Sequence, residues 1–214
     1  MQYYDQHLHT FLSFDSEEQF ENYLAYQPEI FVATDHLDLK NPCSQYQDDI
    51  PDYEKLVQKH QELAEKYPTR LLKGIELGVV PGQEHQIQDY LASHPYDLKL
   101  LSIHQNGQFN QMEHVLKSFS GAQILTHFEY GLRRLAFTPE ELGEHYEKQL
   151  TRILQLIIEK EMALELNAKS YGKYQNKVLY DYIIPLYRSL GGQLFTLTIA
   201  YYLQICLTYW KSMA

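Results

Sequence analysis

Short apolar runs recur at regular intervals along the chain, separated by longer stretches with helical spacing of their apolar positions. The runs Tyr3 to His9, Ile30 to His36, Leu71 to Val80, Leu98 to His104, Gln123 to Phe128, Met162 to Asn167 and Gln193 to Ile199 predict strands. Ser16 to Tyr26 opens on Ser and acidic or amide residues, which suit a helix N-terminus and its dipole. Asp52 to Tyr67 brings Leu56, Leu63 and Ala64 to one face, and Pro139 to Glu161 does the same with Leu150, Ile153, Leu154 and Ile157. Asn41 to Pro51, polar and flanked by Pro, reads as a loop over one end. Such β-α alternation predicts an α/β fold with helices covering a parallel barrel.

Composition narrows the function more than the fold. The chain has 214 residues, 44% of them hydrophobic and 21% charged, which suits one globular domain over 1–214 with a sizeable core. A formal net charge of -10, with no run of Lys and Arg, argues against nucleic-acid binding through a basic face. An acidic protein still binds an anionic substrate when bound cations reverse the local field. Cys43 and Cys206 form no C-x-x-C motif and follow no secretory leader, so the expected compartment is the cytoplasm. The stretch Leu194 to Trp210 is the nearest to a membrane span, and Gln204 with several Thr and Tyr residues spoils it, so no membrane partner is expected.

The chemistry collects where the predicted strands end, as functional residues do in α/β barrels. In an extended segment His7 and His9 point to one face and Leu8 to the other. Ten His in 214 residues would supply roughly half of one such pair by chance, so the pair alone decides nothing. The second predicted strand ends Thr34-Asp35-His36, the third holds Gly74-Ile75-Glu76-Leu77-Gly78, the fourth ends Ser102-Ile103-His104 and the fifth contains Thr126-His127. Five successive strands thus present His or Glu near one end. Imidazole with carboxylate suits zinc, iron or manganese, and a Glu can bridge two ions. His7, His9, Asp15, His36, Glu76, His104 and His127 are too many ligands for one tetrahedral ion, so a cluster of two to three divalent ions is expected.

His60, His85, His94, His114 and His145 fall outside that set and read as surface residues. Asp35 faces away from His36 and is expected to hold backbone or to orient a neighbouring ligand. The 19 Tyr residues read as packing and loop anchors, because no basic groove accompanies them.

In this order the motifs His7-x-His9, Asp15, Thr34-Asp35-His36, Gly74-Ile75-Glu76, Ser102-Ile103-His104 and Thr126-His127-Phe128-Glu129-Tyr130-Gly131-Leu132-Arg133 resemble those of the PHP (polymerase and histidinol phosphatase) superfamily, in its stand-alone histidinol-phosphatase branch. The resemblance runs over roughly residues 1 to 197. It implies a distorted TIM-like (β/α)7 barrel, a metal cluster usually of three ions, and hydrolysis of a small phosphate monoester such as L-histidinol phosphate. Carried over by position, His7, His9 and Glu76 hold one ion, Glu76 bridges to a second on His104 and His127, and Asp15 with His36 holds a third. Glu76 and His104 thereby serve the catalytic centre.

Arg133, with Arg134 as the alternative, is expected to clamp the phosphate through its planar fork of donors. Glu165, Asn167 and Lys169 resemble the later strand motif beside the substrate, while Glu165 and Lys169 also fit a plain salt bridge at the barrel rim.

The resemblance fails at the end. The family's last metal motif, Gly-Ser-Asp-Ala-His, should follow Leu194-Phe195-Thr196-Leu197, but Thr198-Ile199-Ala200-Tyr201-Tyr202-Leu203-Gln204 stands there, with no Asp or His after it. Residues 198–214 read as out of register, as a shift of reading frame near codon 198 would produce, and the C-terminal end is expected to be atypical or truncated. Two expected ligands are therefore missing, and the ion on Asp15 and His36 should suffer most. A phosphatase impaired by that loss, a metal-binding relative without turnover, and a phosphoesterase with another substrate are the readings to separate.

Overall fold

The computed structural model describes residues 7–104, 109–132, 137–167, 170–171, 176–192 and 194–195. Six parallel strands form its frame: β1 (Ile30–Asn41), β3 (Arg70–Gly78), β4 (Leu98–Ser102), β5 (Ile124–Leu125), β6 (Ala163–Glu165) and β7 (Leu194–Phe195). A short strand β2 (Gln47–Asp49) pairs antiparallel with β1, giving the order β2-β1-β3-β4-β5-β6-β7. Helix α1 (Phe20–Leu24) precedes β1, and α2 (Tyr53–Ala64), α3 (Glu84–Ser93), α4 (Phe109–Ser118), α5 (Pro139–Glu159) and α6 (Lys177–Ser189) lie between the strands in sequence. The architecture is α/β as expected, and the sheet does not close into a ring among the described residues. No described helix is long and apolar enough to cross a membrane.

Alternation along the strands sorts core from site. Phe31, Ala33, Leu37 and Leu39 of β1 and Ile75 and Leu77 of β3 join the large core with Leu56 and Leu63 of α2 and with Leu150, Ile153, Leu154 and Ile157 of α5. The intervening residues, among them His36 and Glu76, face the other side. There Leu100 and Ile124 make a small separate apolar floor with Leu98 and Ala163. Ala64, expected on the apolar face of α2, is exposed instead.

Several boundaries differ from the sequence reading. The helix expected over Ser16 to Tyr26 shrinks to Phe20–Leu24, because its first residues serve the preceding loop. Ser16 Oγ donates to the His9 carbonyl, and Phe11 N donates to the Glu18 carbonyl at 2.8 Å. The expected loop Asn41 to Pro51 contains a hairpin: β1 runs on past His36 to Asn41 and turns into β2. Asn41 Oδ1 accepts from Cys43 N and its Nδ2 donates to Asp49, while Gln45 and Tyr46 take positive φ. No glycine signals that turn.

The strand expected at Gln123 to Phe128 pairs only at Ile124 and Leu125. His127 ends it with φ +52. Of Tyr3 to His9, the first four residues lie outside the described residues; beyond them, Leu8 runs beside β1 and its carbonyl accepts from Thr34 N at 2.7 Å. Residues 196–214, and with them the atypical end, also lie outside the described residues.

Candidate metal centre

Glu76 is the middle of the site. It stands on the inner face of β3, opposite His36 in the β1 register, and is fully buried. Its Oε2 lies 2.9 Å from His7 Nε2, 3.5 Å from His9 Nε2 and 3.4 Å from His36 Nδ1. Its Oε1 lies 3.1 Å from His104 Nε2 and 3.3 Å from His127 Nε2, and also accepts from Ser102 Oγ. Five imidazoles from four chain segments therefore surround one carboxylate, and His9 and His36 stack with centroids 4.4 Å apart. Asp15 closes the outer side, its Oδ2 at 3.5 Å from His36 Nε2 and its Oδ1 accepting from Ser13 Oγ.

All seven residues expected as ligands thus come together. Ligand atoms of His7, His9 and Glu76 lie within 4.8 Å of one another, as do those of His9, Asp15 and His36. A third group, His36, Glu76 and His104, meets the same limit, and so does a fourth, His7, His127 and Glu165. The second expected set is looser than the first: His127 reaches Glu76, but His36 is drawn into its place beside His104.

Burial lowers the proton affinity of His7, His9, His36 and His104, and the carboxylates oppose it. Burial wins at His9, whose pKa falls to about 3. Glu76 outweighs burial at His36, raised to about 10 with help from Asp15 and Asp38, and at His104, raised to about 9. Burial would raise Glu76, yet the imidazoles hold it well below the usual carboxylate range.

Two contacts were legible in the sequence only in part. Asp35 accepts from both Thr10 N and Thr10 Oγ1, so it holds the backbone next to His9, as its outward position predicts. Burial raises its pKa to about 6. Glu165 is not at a rim. It is buried, with Oε1 at 2.8 Å from His7 Nδ1 and Oε2 accepting from His127 N at 2.8 Å. Asn167 is buried beside it, its Nδ2 donating to Glu165 Oε1 at 3.3 Å. Both sit behind the histidines because the strand that carries them lies inside the sheet, between β5 and β7. Arg133, Arg134 and Lys169 lie outside the described residues.

Asp38 is the residue that sequence reasoning missed. It is buried on the same face of β1 as His36, and both its oxygens lie near His104 Nδ1, at 2.9 and 3.1 Å. The spacing His36-x-Asp38 carries the same two-residue signal that singled out His7 and His9. His60 is a second correction: it is half-buried in α2, edge-on to Phe20 at 5.8 Å. His94 is half-buried too, stacked on Tyr90 at 4.2 Å.

The family model described as "PHP domain" matches residues 5–169, most of the chain. The chain belongs to the PHP domain family. This PHP domain is similar to the histidinol-phosphatase of Lactococcus lactis subsp. lactis (strain IL1403), 24% identical over 221 residues that cover 90% of this chain and 81% of that protein. The crystal structure of the L. lactis enzyme, solved with zinc, L-histidinol and phosphate, superposes with a TM-score of 0.72 at 22% identity, covering 90% of this chain and 82% of that one. A Listeria monocytogenes structure provisionally given the same enzyme name also reaches 0.72, at 13% identity, over 96% of this PHP domain and 99% of its own chain.

Proposed function

We propose that this PHP domain, read as one unit over 1–214, is a metal-dependent phosphomonoesterase that hydrolyses L-histidinol phosphate to L-histidinol and phosphate. The observation that carries the reading is the convergence of five imidazoles on buried Glu76. The donor set fits divalent zinc, iron or manganese. It mixes nitrogen and oxygen, and His9 Nδ1 is a buried atom without a hydrogen-bond partner. His7, His9 and Glu76 would hold one ion, Glu76, His104 and His127 a second, and Asp15 with His36 a third. Such ions, when bound, supply a hydroxide nucleophile near neutral pH and neutralise charge on the phosphoryl oxygens.

The chain's own groups do the rest. Glu76 spans the two inner sets with its two oxygens, and Ser102 fixes its orientation. Glu165 orients His7 from behind and ties the His127 backbone, so we assign it to positioning in place of direct substrate contact. Asn167 supports Glu165. Arg133 or Arg134 is assigned to clamp the phosphate and Lys169 to contact the substrate, as the resemblance of their motifs implies. The substrate is a small molecule, and the absence of a cysteine framework fits a cytoplasmic enzyme.

A second reading rests on one observation: the sequence has no Asp after Asp181 and no His after His145, so the last Asp-x-His motif is missing. On that reading the centre binds metal but turns over little or nothing. We read residues 198–214 as a shifted frame. Sequencing the source gene tests this, and neighbouring frames without an Asp-x-His codon run remove the idea.

The deciding experiment loads the protein with Zn or Mn and assays phosphate release from histidinol phosphate and a panel of other phosphomonoesters. Turnover preferring histidinol phosphate, lost more than about 100-fold in Glu76→Gln, supports the enzyme. Bound metal without turnover on any ester supports the second reading, and a protein that takes up no metal sinks both.

A further inference from the structure

The inner faces of β1 and β3 form a square of four positions. His36 is in register with Glu76, and Asp38 two residues on is in register with Gly78. On the next strand Gly78 is in register with Ser102, and His104 follows two residues later on that face. Gly78 is thus the one corner without a side chain. A Cβ built there would stand 1.5 Å from Asp38 Oδ1 and 2.8 Å from His104 Nδ1. The need for glycine is close approach, since two side chains meet across its backbone.

Through that opening Asp38 reaches His104. Its two oxygens lie 2.9 and 3.1 Å from Nδ1, while Nε2 of the same ring lies 3.1 Å from Glu76. A carboxylate only accepts, so Nδ1 donates its hydrogen to Asp38, and Nε2 is the ring nitrogen that faces Glu76 and the centre. Asp38 Oδ2 also lies 3.2 Å from His36 Nδ1, against the edge of the second ring.

We propose that Asp38 is a positioning residue: admitted by Gly78, it binds the Nδ1–H of His104, braces the Nδ1 edge of His36, and so aims His104 Nε2 into the metal centre. This rests on the metal reading above. A carboxylate behind a ligating imidazole fixes the ring and raises its basicity, and its loss typically weakens metal binding by 10–100-fold.

The test compares zinc affinity of the native chain, Asp38→Asn and Asp38→Ala by competition with a chromogenic chelator, alongside circular-dichroism melting of each metal-free protein. Zinc binding should weaken by about 10-fold in the Asn variant, which keeps a neutral acceptor, and by about 100-fold in the Ala variant, with cooperative melting retained. Native affinity in both folded variants overturns the proposal and leaves the metal reading standing. Weakening that merely follows loss of the melting transition assigns Asp38 to fold stability and also overturns it. Should either variant fail to fold, the other is read alone, and zinc-loaded Gly78→Ala, whose Cβ displaces the carboxylate, must show the same weakening. A native chain that takes up no zinc removes both readings together.

Discussion

Histidines in this molecule divide by what surrounds them, and His60 shows the other half of the rule seen at the metal centre. Around Glu76, carboxylates outweigh burial and favour imidazolium at His36 and His104. His60 has no such partner. Burial lowers its pKa to about 4, Lys73 adds to the effect, and Asp97 opposes it only weakly. Its Nε2 is buried without a hydrogen-bond partner. The unfolded chain accepts the proton at an ordinary imidazole pKa near 6.5, so it gains protons first as pH falls. The stabilising preference for neutral His60 is complete above about pH 6.5 and is lost as pH falls toward 4. Urea unfolding at pH 7.5 and pH 5 should therefore show a smaller loss of stability for His60→Leu than for the native chain. An equal loss in both would mean that His60 titrates as an exposed imidazole does.

Among elements, α5 agrees most fully with its sequence. Thr138 accepts from Glu141 N, the Glu141 side chain accepts from Thr138 N, and Pro139 occupies the first turn. Leu150, Ile153, Leu154 and Ile157 are all buried, as their spacing predicts. Removing the cap by Thr138→Ala should cost about 1 kcal/mol, a fall of roughly 2–4 °C in melting temperature for a chain of this size. Differential scanning calorimetry measures it, and an unchanged midpoint would show that the first turn of α5 frays in solution.

The elements read poorly from sequence share a different cause: side chains there satisfy backbone at a distance. Ser16 serves His9 and not its own helix, and Asn41 builds a hairpin turn that needs positive φ at Gln45 and Tyr46. Local pattern does not encode such contacts. The ligand set was legible because strand alternation and strand ends are local properties, whereas the roles of Glu165 behind His7 and of Asp38 behind His104 required knowing which strands are neighbours.

At the scale of the whole molecule, strand order decides more than strand content. The α/β class followed from the alternation of runs, and the parallel pairing of β1 with β3 brings His36 beside Glu76. What β2 adds has nothing to do with chemistry at the centre. Among the described residues it ends the sheet, and a sheet's last strand offers unpaired backbone to any chain that comes near. Here that strand is three residues long and carries Asp48 and Asp49, with Asp48 Oδ1 accepting from Lys40 N and Asp49 Oδ2 accepting from Asn41 and Ser44. Its carboxylates are tied inward to the hairpin, and its charge repels a second copy of the same edge. Replacing Gln47 and Asp48 together by Val should turn this margin adhesive, and light scattering at rising protein concentration should then exceed that of the native chain. The small hairpin beside the catalytic face would in that case be a guard on colloidal behaviour, keeping an otherwise open sheet from recruiting neighbours.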